Sequence, residues 1–284
     1  MKLPTSVRYL SAAVSACGFL LGGMNASAAV IYNPGDLLLG FHTNGGTGSN
    51  SSYVFNLGPA YEYRNTPTKL VTSSDLSVDL SATFGSDWFS RTDLYWGIAA
   101  VRDPAGSGAN TVVNGDPRAA IYISKDASAA GASTAWDLPQ SGTSTTSSAT
   151  TVSVATSIAT MQGGFQGKTE TATSGGRGTV QTEDTSINSW DEFNPVNGAA
   201  FGGILTGGVQ APLGGGAVEY LDLYRLLGRG NAAATPNTPA GDGLYVTTFA
   251  ITSSGIITAV PEPTSAMLLG LGVAATALRR RRNA

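Results

Sequence analysis

The chain holds runs of five to nine residues rich in apolar side chains and bounded by Gly, Pro, Asn and Ser, and in several of them the apolar residues recur at every second position. A period of two places alternate side chains on opposite faces of an extended strand, whereas a helix needs a period near 3.6. Asp93–Val101 puts Leu94, Trp96 and Ile98 on one face. Tyr53–Leu57 alternates and stops at Gly58-Pro59, and Asp36–Phe41 follows an Asn33-Pro34-Gly35 turn. Ala120–Ser124 is β-branched and aromatic. Glu219–Leu227 sets Leu221, Leu223 and Leu227 against Tyr220, Asp222 and Tyr224. Leu244–Ile251 and Ile256–Val260, joined through Ser253-Ser254-Gly255, read as a closing hairpin.

Two places break the pattern. Asp79 is placed to cap a short helix running through Phe84. Val154, Ile158, Met161 and Phe165 form a one-faced stripe at i, i+4, i+7 and i+11, as a helix packed on a sheet requires. Ser141–Thr160 is rich in Ser and Thr, and its start reads as a solvated loop open to O-linked sugar. The expected fold is mainly β: a single β-sandwich-like domain over 29–259 with one or two short helices, plus a C-terminal transmembrane helix.

The two ends differ from the body. Lys2 and Arg8 precede an apolar stretch from Tyr9 to Met24, and Ala26-Ser27-Ala28 has the small-x-small order cut by a signal peptidase. Residues 1–28 are therefore expected to be a signal peptide, with cleavage set by Ala26 and Ala28. Val14-Ser15-Ala16-Cys17 also resembles a lipobox, but apolar residues continue past it through Leu21. On the signal-peptide reading Cys17, the single cysteine, leaves with the signal and the mature chain has no disulfide.

At the other end, Thr264–Leu278 is 15 residues without a charge. At 1.5 Å per residue it spans about 22 Å, short of a ~30 Å hydrocarbon core. Arg279, Arg280, Arg281 and Arg282 follow it, and arginine stems that reach to the interface recover part of that length. Basic residues stay on the cytoplasmic side, so the body faces outward. Pro261-Glu262-Pro263 precedes the apolar run, and its prolines keep the segment extended and outside the helix.

The order Pro261-Glu262-Pro263, apolar 264–278, Arg279–Arg282 resembles the PEP-CTERM sorting signal, and residues 260–284 are read as that tail. The resemblance implies processing by exosortase, a membrane-embedded transpeptidase-like enzyme of Gram-negative envelopes. It implies an inner-membrane precursor and a final place on the cell surface or in an exopolysaccharide matrix. The implied partners are exosortase, signal peptidase, the inner membrane in transit and exopolysaccharide. The segments GDLLLGFHTNGGTGSNSSYVFNLG and FGSDWFSRTDLYWGIAAV are similar to uncharacterised bacterial proteins bearing the same tail, which bring no known activity.

Within 29–259 eighteen acidic residues face ten basic ones, because six of the sixteen Lys and Arg lie in the two ends. An acidic body argues against nucleic acid as a partner. His42 is the single histidine, read as a surface or strand-end residue, so a Ser-His-Asp triad or a zinc site lacks its ligands. Gly163–Thr169 ends like a phosphate-binding loop, but Gln162 stands where its first glycine belongs. Glu192, Glu219 and Asp222 are the candidates for a carboxylate pair of the kind that hydrolyses glycosides. Asp116 and Asp242 lie beside glycines and read as turns rather than calcium loops. Trp88, Trp96, Trp136 and Trp190 read as core rather than a sugar platform. No cofactor, metal or catalytic residue is expected. The body is expected to be a non-catalytic structural or adhesive protein, the alternative being a secreted carbohydrate-binding or glycoside-hydrolysing one.

Overall fold

Each run read as a strand forms one in the computed structural model, which describes residues 29–65, 69–70, 76–102, 112–117, 119–129, 148–171, 174–182, 189–190, 210–227 and 243–260. Five long strands cover these runs: β1 (Asp36–Thr43), β2 (Ser52–Pro59), β4 (Leu94–Val101), β5 (Ile121–Ala127) and β8 (Val218–Leu226). The closing hairpin is β9 (Gly243–Thr252) and β10 (Ile257–Val260). Three shorter strands had no alternation long enough to announce them: β3 (Lys69–Leu70), β6 (Gly178–Gln181) and β7 (Gln210–Pro212).

All ten join one antiparallel sheet in the order β3-β10-β9-β8-β5-β4-β1-β2-β6, with β7 pairing β4 off this path. The sheet is mainly β as expected, and its sandwich-like depth comes from one sheet curling round rather than from two. Its inner face carries Leu37, Leu39, Phe41, Phe55, Trp96, Ile98, Leu221, Leu223, Phe249 and Ile251, all in one buried cluster. Helix α1 (Ala60–Asn65) follows β2 and brings Tyr63 against Phe249 of the distant β9, with ring centroids 5.1 Å apart. Helix α2 (Leu76–Phe84) adds Leu76, Leu80 and Phe84 to the same cluster, and a 3-10 turn at Trp88–Ser90 adds Trp88 and Phe89. Burial of each such side chain contributes roughly 1.5–3 kcal/mol.

The outer face is covered by α3 (Ser148–Phe165), 18 residues long. Val154, Ile158, Met161 and Phe165 are all buried against Leu38, Val54, Ala99, Val101, Ile121 and Ile123. The stripe thus does what its spacing requires. Among the described residues the α-helices number three rather than one or two, and α3 is not short.

One local expectation is corrected. Asp79 does not cap α2, which begins three residues earlier at Leu76. It points into the interior, where its Oδ2 accepts hydrogen bonds from Tyr53 Oη at 2.8 Å and Thr171 Oγ1 at 2.5 Å. A buried carboxylate so bonded outweighs the helix-terminus preference that suggested a cap. His42, expected at the surface or at a strand end, is at a strand end and buried. It lies one residue before the end of β1, 1 % exposed, with its ring stacked on Tyr95 at 5.6 Å.

Candidate functional site

The sheet runs up to the residue before Pro261. After β9 the chain turns at Ser253-Ser254-Gly255, with Gly255 at φ +73°. A Cβ at Gly255 would stand 2.5 Å from the Ser77 backbone nitrogen, so the turn seats itself on the start of α2. Strand β10 then pairs Ile257, Thr258, Ala259 and Val260 with Ile251, Ala250, Phe249 and Thr248. On its other side Thr258 and Ala259 pair with Leu70 and Lys69 of β3. Ile257 and Ala259 are buried on the inner face, and Thr247 Oγ1 donates to the Val260 carbonyl at 3.1 Å. Proline has no N–H to continue a ladder, which ends the strand where the tail begins.

A second constellation closes one end of the curled sheet. Asn114-Gly115, at φ +51° and +79°, make a two-residue turn between Val113 and Asp116. That dipeptide suits left-handed backbone. Asp116 is buried and meets Arg64 Nη1 at 2.6 Å and Arg225 Nε at 2.7 Å. Tyr122 Oη donates to Asp116 Oδ2 at 2.9 Å and accepts from Arg64 Nη1 at 2.9 Å. Arg64 also donates to the Asn114 carbonyl, and Arg225 Nη2 to that of Gly115 at 2.6 Å. Burial, first, and then the Asp116 charge push the Tyr122 hydroxyl well above its ordinary range. The expected turn at Asp116 is there. Its two arginine partners were not legible, because Arg64 lies 52 residues away in sequence.

The sheet forks at its opposite end. Strand β4 pairs with β5 at Ala99–Val101, while nearer its start, at Tyr95–Gly97, it pairs with β7 instead. Ser124 Oγ accepts the Ile98 N–H at 2.8 Å where the two pairings part. The fork opens into a cleft of about 730 Å³ whose lining includes Tyr95, Asp126, Ser128, Glu219 and Tyr220. Asp126 opposes Leu221 in the β5–β8 register, so Glu219 is its diagonal neighbour on the same face, about 7–8 Å away by ladder geometry. Burial, chiefly, and the Glu219 charge raise the Asp126 carboxyl. The side chain is exposed, so water screens much of this.

Of the carboxylates singled out in the sequence, the two among the described residues, Glu219 and Asp222, do not converge. Glu219 and Asp222 stand three apart on β8 and so face opposite sides. Glu219 Oε1 accepts the N–H groups of Gly215 and Gly216, each at 2.7 Å. Asp222 is buried and accepts from Thr248 Oγ1 at 2.5 Å. Glu192 and Asp242 lie outside the described residues. Gly163–Phe165 form the last turn of α3, and Gly167 at φ +75° follows it. A phosphate-binding loop precedes its helix, so this arrangement is the reverse of one. Trp88, Trp96 and Trp190 are buried as expected, and Trp136 lies outside the described residues. Among the described residues no group of three or more His, Cys, Asp or Glu is placed to hold a metal.

Ala26, Ala28, Pro261, Glu262, Pro263 and Arg279–Arg282 also lie outside the described residues. For the C-terminal stretch that holds Pro261–Pro263 and Arg279–Arg282, a comparison supplies an observation. A family model of the PEP-CTERM protein-sorting motif matches residues 259–282. The chain carries a PEP-CTERM sorting motif. The PEP-CTERM match spans the Pro-Glu-Pro element, the apolar run and the arginine cluster, and its first two residues are the last two of β10. It marks an exported protein targeted to exosortase and made as a membrane-anchored precursor. No curated protein and no solved structure matches the chain. No helix among the described residues is long and apolar enough to cross a membrane, and the 264–278 run expected to do so lies outside them.

Proposed function

We propose that this protein is a non-catalytic structural or adhesive component of a Gram-negative cell surface or exopolysaccharide matrix. The PEP-CTERM motif at 259–282 carries the reading, because it supplies the export and processing route. The body supports it by the use it makes of its polar groups. Asp79, Asp116, Asp222 and Glu219 each accept hydrogen bonds from the fold itself, which stabilises the body rather than leaving these acids poised for a reacting atom. On this reading, residues 1–28 leave with signal peptidase and exosortase then acts at Pro261-Glu262-Pro263. Separating inner membrane, outer surface and secreted polysaccharide, and probing each for the body, tests it. The body belongs with the surface or the polysaccharide, and its retention in the inner membrane contradicts the reading.

The cleft at the fork favours a second reading, a carbohydrate-binding body. Tyr95 and Tyr220 offer apolar ring surface and Asp126 and Glu219 offer acceptors for sugar hydroxyls. Sedimentation with the exopolysaccharide of the producing cell, for the parent and for Asp126→Ala with Tyr220→Ala, separates the two. Loss of co-sedimentation in the variant supports the cleft, and unchanged co-sedimentation removes it.

A further inference from the structure

The folded body and the processing enzyme lay claim to the same few residues. Strand β10 ends at Val260, and the motif's first proline is the next residue, with no linker between them. The backbone of Thr258 and Ala259 is engaged on both edges, by β9 on one side and β3 on the other. An enzyme that grips an extended peptide does so largely through main-chain hydrogen bonds and alternate side-chain pockets. Neither is available just before Pro261 while β10 is docked, since Ile257 and Ala259 are buried and their neighbours are laddered. Reach adds a second constraint. Residues 261–263 span at most about 11 Å, so a docked β10 would hold the folded body against the membrane surface, where the enzyme must also fit.

Resting on the sorting reading above, we propose that β10 is a releasable strand whose undocking from β9 and β3 admits exosortase to the sorting motif. The strand is suited to this. It has four residues, whereas β9 has ten, and its outer neighbour β3 has two. With its signal at the front, the chain exports the rest of the body ahead of β10, so docking of β10 competes directly with capture of the motif. A cut at or beyond Pro261 leaves Ile257–Val260 on the mature body, so β10 can dock afterwards and complete the sheet. The rate of processing then scales with the fraction of precursor in which β10 is free.

The test locks the strand in the full-length chain, in the cell that processes it. Thr258 and Ala250 are register partners, and the Thr258→Cys, Ala250→Cys pair permits a disulfide between them. Pulse-chase labelling follows conversion of precursor to mature protein for the parent, the locked pair, the locked pair with added reductant, and the locked pair with a ten-residue Gly-Ser spacer after Val260. The proposal expects the precursor half-life of the locked pair to rise on the order of tenfold or more. Reductant and spacer should each restore it, and Ile257→Ala in the unlocked chain should shorten it several-fold. Processing of the locked pair at the parental rate overturns the proposal, as does a block that neither reductant nor spacer relieves. Failure of the parent itself to be cut is a different result, and it overturns the sorting reading beneath.

Discussion

Trp190 lies flat on Gly40. A Cβ at Gly40 would stand 1.9 Å from Trp190 Cδ2 and 2.0 Å from Cε2, so the indole occupies the space that any other residue in the middle of β1 would fill. Trp190 is 3 % exposed, and its backbone N–H is held by Gln181 Oε1 at 3.0 Å, tying the ring to the end of β6. One absent methyl group thus joins the outer face of the sheet to its β6 edge.

Gly40→Ala should therefore displace the indole and destabilise the body by about 1–3 kcal/mol, the usual cost of overpacking. Urea titration followed by tryptophan fluorescence reads both effects, as a lower midpoint and a changed native emission. An unchanged midpoint with unchanged emission contradicts the packing.

Asp116 serves two guanidinium groups, from Arg64 and Arg225, as well as the Tyr122 hydroxyl. Removing the one carboxylate leaves two half-buried cations without their counter-charge. Asp116→Ala should cost about 3–5 kcal/mol. Tyr122→Phe, which removes the hydroxyl's bonds to Asp116 and Arg64 but leaves the charge pairs, should cost about 1–2 kcal/mol. Chemical denaturation of the two variants checks the ranking, and equal losses contradict it.

Acid should loosen the loop that joins β1 to β2. Arg91 donates to Asp93 through Nε at 2.9 Å and Nη2 at 2.7 Å, and the same guanidinium holds the carbonyls of Gly45, Thr47 and Phe84. Those hydrogen bonds, first, hold the Asp93 carboxyl below its ordinary value of 3.8. A depressed carboxyl stabilises the fold at pH above its unfolded value, and the contribution is lost as pH falls through the lower folded value. Asp93 is 45 % exposed, so the effect is small. Melts of the parent should lose stability below about pH 4, with a shallower loss for Asp93→Asn. Parallel curves for the two contradict the assignment.

Most of the sheet was legible because alternation is a local property: Leu94, Trp96 and Ile98 announce their shared face within five residues. The stripe Val154–Phe165 was legible for the same reason. Strands β3, β6 and β7 were not, since two to four residues carry no periodicity and their pairing partners supply the reason to be extended. Asp79 misled because a helix start and a buried hydrogen-bond acceptor ask for the same residue type. The Asn114-Gly115 dipeptide did signal a turn, but nothing local tells which arginines will close over it. The sorting motif was legible, because membranes and membrane enzymes read linear sequence, whereas any surface the body offers is assembled from distant strands.

Whether the tail is a processing signal is tested most directly by the masses of the accumulated protein. In the native host, the parent should yield a mature form beginning at Ala29 or Val30 and lacking Arg279–Arg282. Glu262→Ala should insert normally but accumulate in the inner membrane at a mass that retains all four arginines. Replacing Arg279–Arg282 with uncharged residues should instead impair retention of the precursor, since nothing then opposes translocation of a short apolar run. If both variants reach the surface with the parent's mass and yield, or the mature parent keeps its arginine cluster, the tail is only a weak anchor and the exosortase account is wrong.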